Sequence, residues 1–304
     1  MSSRIKIAVL MTCHNRENLT SSCLKNLLIA KTVYNNTGNQ DELLLHLVLV
    51  DDGCTDSTVE KVRQVWGEER IEIIEEDGNR FWAGGMYTAW TRALALKESF
   101  DYYLLLNDDT DVFPNCFDEL FKTEDFCISR YGRKGIYSGA TSSKVDKSKS
   151  TYGGAIYHSK LWGHPKAVFA NGEPQLIDIT NANILLAPAE VVESIGIFYK
   201  GFIHSASDSD YAMKARRKGI PVLLSGNTCG CCDNDHVYAD ELKKKILSMS
   251  IKQRKAFFNH PLHSKKDYMT FLRRNLPLKL PMAWLFWKMN IYTPSLYYRI
   301  NGLR

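Results

Sequence analysis

Residues 43–56, LLLHLVLVDDGCTD, decide the fold class of this chain. The first eight are apolar except for His46, and acidic and turn-forming residues follow them directly. A near-continuous apolar run of this length predicts a strand that is buried on both faces, which is typical of a parallel sheet. A helical pattern over residues 56–65 follows, so we expect strands and helices to alternate along the chain.

The same alternation extends over the first 110 residues and becomes irregular after residue 135. We predict strands at residues 4–12, 43–50, 71–75 and 102–106, and helices at 17–28, 56–65 and 85–97. Later we predict shorter strands at 136–140, 152–158, 177–180, 184–187 and 222–224, and helices at 189–195 and 208–218. This order predicts an α/β fold with a mostly parallel sheet flanked by helices.

The composition is that of a globular protein. Of the 304 residues, 44% are hydrophobic and 24% are charged, and 19 glycines and nine prolines are too few for a collagen-like chain. No apolar run approaches the roughly 18 residues that a membrane-spanning helix needs, and the start resembles a buried strand more than a signal peptide. We therefore expect a cytoplasmic protein whose eight cysteines are reduced thiols, with zinc at Cys229, Cys231 and Cys232 as a weaker alternative.

The positive charge is concentrated in the last part of the chain. Residues 252–304 contain eleven basic residues and one acidic residue, together with aromatic residues such as Trp284 and Trp287. Basic and aromatic side chains are attracted to anionic lipid headgroups, so we expect residues 238–304 to form a helical extension at a membrane surface. The alternatives are packing on the rest of the chain or on a second copy as a homodimer. No part of the body of the chain indicates nucleic-acid binding.

Polar clusters follow each of the first four predicted strands, at the edge where parallel sheets bind ligands. Asp109 and Asp111 follow the strand at 102–106, and two carboxylates so close together favour a hard divalent cation such as Mg²⁺ or Mn²⁺. The alternative is an ordinary turn rich in aspartate. The four clusters are residues 12–16, 51–53, 76–80 and 107–111.

These clusters resemble the motifs of family 2 glycosyltransferases with the GT-A fold, over roughly residues 5–236. TCHNR at 12–16 is similar to the first nucleotide-contacting loop, and LVDDGCTD at 49–56 to the VDDGSTD signature, with Cys54 where serine is usual. NRFWAGGM at 79–86 resembles the N-x-x-x-A-G-G segment, in the version typical of rhamnosyltransferase- and galactofuranosyltransferase-like members. LNDDTD at 106–111 is similar to the Asp-x-Asp metal motif, with Asn107 where some members have aspartate.

The resemblance implies an inverting transfer from a UDP- or dTDP-sugar to a glycan or polyprenol-linked acceptor, in cell-surface polysaccharide synthesis on the inner face of the cell membrane. It implies a GT-A domain at residues 1–237, with a nucleotide-binding half at 1–112 and an acceptor-binding half at 113–237. Metal ligands would be Asp109, Asp111 and His236, and Asp208 or Asp210 would be the catalytic base. Donor-binding residues would be Thr12, His14, Asn15, Arg16, Asp51, Asp52, Asn79, Arg80, Trp82, Gly84, Gly85, Asn107 and Asp108.

Several alternatives remain open at the level of the sequence. A nucleotidyltransferase would share the sheet and the acidic residues, and a catalytically silent family member could act as a membrane-bound assembly partner. Asp51 and Asp52 could simply cap a turn, and Gly84 and Gly85 could serve helix packing. Arg80 could be a solvated loop residue and Trp82 a core residue.

Overall fold

The computed structural model describes residues 3–38, 41–159, 164–233 and 239–301. The N-terminal part consists of β1 (Ser3–Cys13), α1 (Glu17–Asn36), β2 (Asp41–Asp51), α2 (Thr58–Trp66), β3 (Arg70–Glu75), α3 (Phe81–Ala95), β4 (Tyr102–Leu106), β5 (Asp111–Val112) and α4 (Cys116–Tyr131). The middle part consists of β6 (Ile136–Ser142), β7 (Ser150–Tyr152), β8 (Gly154–Ile156), β9 (Lys166–Val168), β10 (Gln175–Leu176), β11 (Ile179–Thr180), β12 (Ile184–Pro188), α5 (Ala189–Ile195), α6 (Ser207–Arg217) and β13 (Val222–Cys231). The C-terminal part consists of α7 (Ala239–Ser248), α8 (Ile251–Asn259), α9 (Lys266–Asn275), a 3₁₀ turn (Pro277–Lys279), α10 (Leu280–Tyr292) and α11 (Pro294–Asn301).

The main sheet has the strand order β10-β13-β6-β12-β4-β1-β2-β3, with β5 paired to β13 and β7 to β6. Strands β4, β1, β2 and β3 run parallel to one another, and β6 runs parallel to β13, whereas β12 is antiparallel to both β4 and β6. A smaller sheet has the order β11-β8-β9. The prediction of a mostly parallel sheet flanked by helices is confirmed.

The continuous apolar strands arise because both faces of the sheet are covered. On β1, Ile7 and Val9 belong to a core cluster that includes residues of α1 and α4, whereas Ala8 and Leu10 belong to a second cluster that includes Trp90 of α3. All five side chains are fully buried. An alternating polar face would leave polar groups without water on one side, so β1 is apolar at every position from Ile7 to Met11.

Several boundaries differ from the sequence-based expectation, and α1 ends at Asn36 instead of residue 28. Helix α3 begins at Phe81 instead of residue 85, and β13 extends to Cys231 because Gly230 and Cys231 pair with β5. The single strand expected over 152–158 is two short strands in different sheets, since β7 pairs with β6 and β8 with β9. The long helix α4 was not predicted.

The C-terminal helices pack on the rest of the chain through α9. Phe271, Leu272 and Leu276 form a buried cluster with Phe202 and with other residues of α3 and α6. A separate cluster of Ile246, Phe258 and Ile291 holds α7, α8 and α10 together. Within the described residues, no helix is both long and apolar enough to span a bilayer.

Candidate active site

The polar loops after β1 and β2 are bound to each other at the carboxyl edge of the sheet. Cys13 is paired in register with Asp51, and the backbone N–H of Asp52 donates to the Cys13 carbonyl at 3.0 Å. His14 Nδ1 lies 2.6 Å from the Asp52 carbonyl oxygen, and Asn15 Oδ1 accepts from the Thr55 N–H at 2.7 Å. Two of the segments with predicted donor-binding residues therefore form one surface.

The side chains of Asp51 and Asp52 are both engaged by backbone groups. Asp52 accepts from the N–H groups of Arg80 at 3.0 Å and Phe81 at 2.8 Å, where α3 begins, and Asp51 accepts from Cys54 N–H at 2.7 Å. A carboxylate at the start of a helix satisfies N–H groups that have no partner within the helix. Asp52 therefore fixes the loop after β3 against the loop after β2, in addition to any contact with a nucleotide.

Arg16 and two carboxylates form the electrostatic centre of the site. One guanidinium nitrogen of Arg16 lies 3.0 Å from Asp108 Oδ1 and 3.0 Å from Asp109 Oδ2. Thr20 also donates to Asp108, at 3.3 Å. Burial raises the pKa of Asp108 to about 6, although the nearby Arg16 charge favours its ionised form.

Asp111 lies in a different environment from Asp109. Ser22 and Asn26 of α1 donate to its Oδ1 at 2.9 and 3.1 Å, and Lys144 pairs with its Oδ2 at 2.9 Å. The oxygens of Asp108 and Asp109 converge on the Arg16 guanidinium, and carboxylate oxygens of this kind are ligands that a hard divalent cation prefers. The prediction that Asp111 ligates a metal remains a prediction, and His236 lies outside the described residues.

The remaining predicted donor residues divide between exposed and tightly packed positions. Arg80 is exposed and pairs with Glu76 at 2.9 Å, and the neighbouring Asn79 is exposed as well. Gly85 packs on Thr12, because a Cβ added there would lie 2.3 Å from the Thr12 hydroxyl oxygen. This contact gives Gly85 a packing role between α3 and β1.

A short chain of hydrogen bonds connects this region with the predicted catalytic base. Trp82 Nε1 donates to Asn107 Oδ1 at 2.7 Å, and Asn107 Nδ2 donates to Asn183 Oδ1 at 3.2 Å. The backbone N–H of Asn107 also donates to the Asn183 carbonyl, at 3.1 Å. The adjacent Ala182 N–H donates to Asp208 Oδ2 at 3.1 Å. Two residues of one loop therefore join Asp208 to the segment that contains Asp108.

Asp208 and Asp210 differ sharply in their partners. Asp208 accepts from its neighbour's N–H (Ser209, 2.7 Å) near the start of α6, and burial raises its pKa to about 6. Asp210 is 1% exposed and is held by Arg274 Nε at 2.9 Å and Asn275 Nδ2 at 2.6 Å, both from α9. A carboxylate engaged in this way is a poor proton acceptor, so the geometry favours Asp208 as the base.

The cysteines do not form the zinc cluster that the sequence suggested as a weaker alternative. All eight are free thiols, and in the described part of the chain the one group of three potential ligands is Cys13, Asp51 and Cys54, whose ligand atoms lie within 4.8 Å of one another. The two sulfurs are 3.9 Å apart. The hydrogen bond with Cys13 lowers the pKa of the half-buried Cys54 thiol.

Three residues with structural influence on the site were absent from the sequence-based set. Asn183 bridges the two carboxylate regions, and Asp267 and Arg274 of α9 contact the segment around Asp208. No local pattern distinguishes Asn183. Asp267, in contrast, is the single acidic residue in the basic segment 252–304, which was a visible signal.

Comparisons with known proteins agree with this architecture. Residues 8–126 match the family model described as glycosyl transferase family 2. The fold resembles residues 1–349 of TarS from S. aureus (TM-score 0.52, 14% identity, 89% of this chain and 71% of that one). It also resembles the mannosyltransferase PcManGT from Pyrobaculum calidifontis, solved with GDP-Man and Mn²⁺ (TM-score 0.51, 15% identity, 99% and 80%). No curated protein sequence matches the chain.

Proposed function

We propose that this chain is a family 2 glycosyltransferase, an inverting, metal-dependent enzyme that transfers a sugar from a nucleotide-sugar to an acceptor hydroxyl. The match of residues 8–126 to the family model supports this proposal. One observation supports this proposal above the others. The pair Asp108 and Asp109 and the separate Asp208 are joined through Asn107 and the loop at residues 182–183. Glycosyl transfer needs one carboxylate region on the leaving-group side and another on the acceptor side, and this bridge connects two such regions.

On the donor side, the proposal assigns the nucleotide to the joined loops after β1 and β2, including His14, Asn15, Asp51 and Asp52. A bound Mg²⁺ or Mn²⁺ would stabilise the negative charge that grows on the diphosphate leaving group. Asp109 is the proposed ligand, because its side chain is more exposed than that of Asp108, with which it shares one Arg16 nitrogen.

On the acceptor side, Asp208 would accept the proton of the attacking hydroxyl. A carboxyl with a pKa of about 6 is mostly ionised at neutral pH, and it is a stronger base than an exposed aspartate. The N–H groups of Ala182 and Ser209 fix the orientation of its two oxygens. Attack opposite the leaving group gives inversion, in keeping with the family resemblance.

The finer identity follows from the NRFWAGGM segment and remains part of the proposal. It favours a UDP- or dTDP-sugar donor and a glycan or polyprenol-linked acceptor in cell-surface polysaccharide synthesis. We assign catalysis to residues 1–237 and propose that residues 238–304 are a helical extension.

We propose that this extension lies on the inner face of the cell membrane. Leu278, Met282, Trp284 and Leu285 in and before α10 are exposed, Leu278 by 74%. Beside them, a groove of about 760 Å³ between α9 and α10 has an apolar lining and two cationic residues, Lys266 and Arg273. Exposed apolar side chains beside cations fit an anionic lipid surface.

Metal dependence tests the donor side of the proposal. We expect release of nucleoside diphosphate from the donor to stop in excess chelator and to return with Mg²⁺ or Mn²⁺. Asp109→Ala should abolish release, whereas Asp125→Ala, which removes an exposed acid of α4, should leave it unchanged. Full turnover by the chelated enzyme or by Asp109→Ala would contradict the assignment.

A further inference from the structure

Asp267, the acidic residue of the basic extension, is buried against the catalytic part of the chain. Its side chain is only 4% exposed. Oδ2 accepts from the backbone N–H groups of His204 at 2.8 Å and Ser205 at 2.9 Å, and the N–H of Ile203 lies 3.2 Å from Oδ1 and 3.3 Å from Oδ2. Three consecutive N–H groups therefore converge on one carboxylate, and hydrogen bonds to an ionised acceptor are among the strongest in proteins.

The loop that Asp267 holds lies between the proposed donor side and the proposed base. The Ile203 carbonyl accepts from the Gly84 N–H in α3, at 3.1 Å. Ala206 follows with a φ of 66°, a left-handed conformation that a non-glycine residue adopts only when its surroundings hold it there. Helix α6 and Asp208 come directly after. The position of Asp208 thus depends on how this loop is held.

The other end of α9 binds α6 itself. Arg274 and Asn275 donate to Asp210, one helical turn or less from Asp208 along α6. The guanidinium carbon of Arg274 also lies 3.9 Å from the centre of the Tyr199 ring, in the segment before the loop. Between these polar contacts, Phe271 belongs to a buried cluster with Phe202, directly before the loop, and with Met213 of α6.

We propose that Asp267 is a positioning residue for the transfer reaction: α9 fixes the loop at residues 203–205 and thereby places Asp208 for proton abstraction from the acceptor. This inference rests on the proposed function. It makes the extension part of the acceptor side of the active site, in addition to its proposed role at a membrane. Asp267 touches neither substrate in this account and acts through the loop.

The matched variants are Asp267→Asn and Asp240→Asn. Both remove one negative charge from the extension, but Asp240 is exposed in α7. We expect Asp267→Asn to lower kcat at least about tenfold, because small displacements of a reacting group are costly, while the donor KM stays within about twofold of the wild-type value. Asp240→Asn should behave as wild type, and Asp267→Glu, which retains the charge, should recover part of the lost kcat.

Far-UV circular dichroism of the same samples separates positioning from folding. Wild-type kcat in well-folded Asp267→Asn would overturn the inference, as would a donor KM that rises as much as kcat falls. Should Asp267→Asn fail to fold, Asp267→Glu decides: a lowered kcat with an unchanged donor KM supports positioning, and wild-type kinetics overturn it. Absence of turnover in the wild-type protein with every donor would instead overturn the proposed function, and the positioning role with it.

Discussion

Asp208 should make kcat fall on the acidic side of the pH profile, at a higher pH than an ordinary aspartate would. Its side chain is 9% exposed, and burial raises its pKa from the ordinary value of 3.8 to about 6, although two N–H groups stabilise the charged form. The base works only when ionised, so kcat should fall as the pH drops through about 6. At pH 5 about one carboxyl in ten is ionised, so kcat should be about tenfold below its plateau.

The comparison variant is Asp208→Asn. It keeps the shape of the side chain but removes the base, so kcat should fall by about 10²- to 10⁴-fold and the acidic limb should disappear. Donor affinity should be close to normal, because the donor is assigned to the loops after β1, β2 and β4.

The assay is nucleoside diphosphate release at saturating donor and acceptor between pH 4.5 and 8. Asp108 also has a raised pKa of about 6, so its titration must be separated from that of Asp208. An Asp108→Asn variant should retain the limb in whatever kcat remains. A kcat that is flat down to pH 4.5, or a near-normal kcat in Asp208→Asn, would refute the assignment of the base.

Three further predictions concern the loops and the extension. Asp52→Ala should lower the free energy of unfolding by about 1–3 kcal/mol in denaturant titrations, because the two N–H groups that begin α3 lose their acceptor. Gly85→Ala should lower the free energy of unfolding by about 1–3 kcal/mol, since the added Cβ would lie 2.3 Å from the hydroxyl oxygen of Thr12 in β1. The control Gly84→Ala should be tolerated, because its Cβ would meet nothing closer than 3.7 Å, and equal stabilities of the two variants would contradict this reasoning. Trp284→Ser should weaken the sedimentation of the protein with anionic vesicles, whereas Val145→Ser, which changes an exposed residue outside the extension, should not. If the wild-type protein does not bind such vesicles, the extension has a packing role alone.

The sequence predicts the fold where the physical signal is local. Strand β4 was predicted with its observed bounds, because five consecutive apolar residues end at a polar cluster. The start of α3 was misplaced by four residues, since it depends on Asp52, which lies 28 and 29 positions before the N–H groups that it caps. A contact over that distance leaves no periodic pattern.

The same reasoning explains what could be predicted of the candidate site. The acidic cluster after β4 is evident in the sequence, but which carboxylates converge depends on Arg16 from another loop and on Lys144 from a third. Asp208 and Asp210 look equivalent in sequence, and they differ because Arg274 and Asn275, 64 and 65 positions after Asp210, bind Asp210 and not Asp208. The basic extension was predicted to be helical, but its attachment through α9 depends on tertiary contacts.

The most direct test of the central claim is a donor screen with the purified protein. UDP- and dTDP-sugars would be incubated with the protein and Mg²⁺ or Mn²⁺, and release of the nucleoside diphosphate would be measured for the wild-type protein and Asp208→Asn. We predict that the wild-type protein turns over at least one donor and that Asp208→Asn binds the same donor with little or no turnover. The account would be contradicted if the wild-type protein bound none of these donors and released nucleoside diphosphate from none of them.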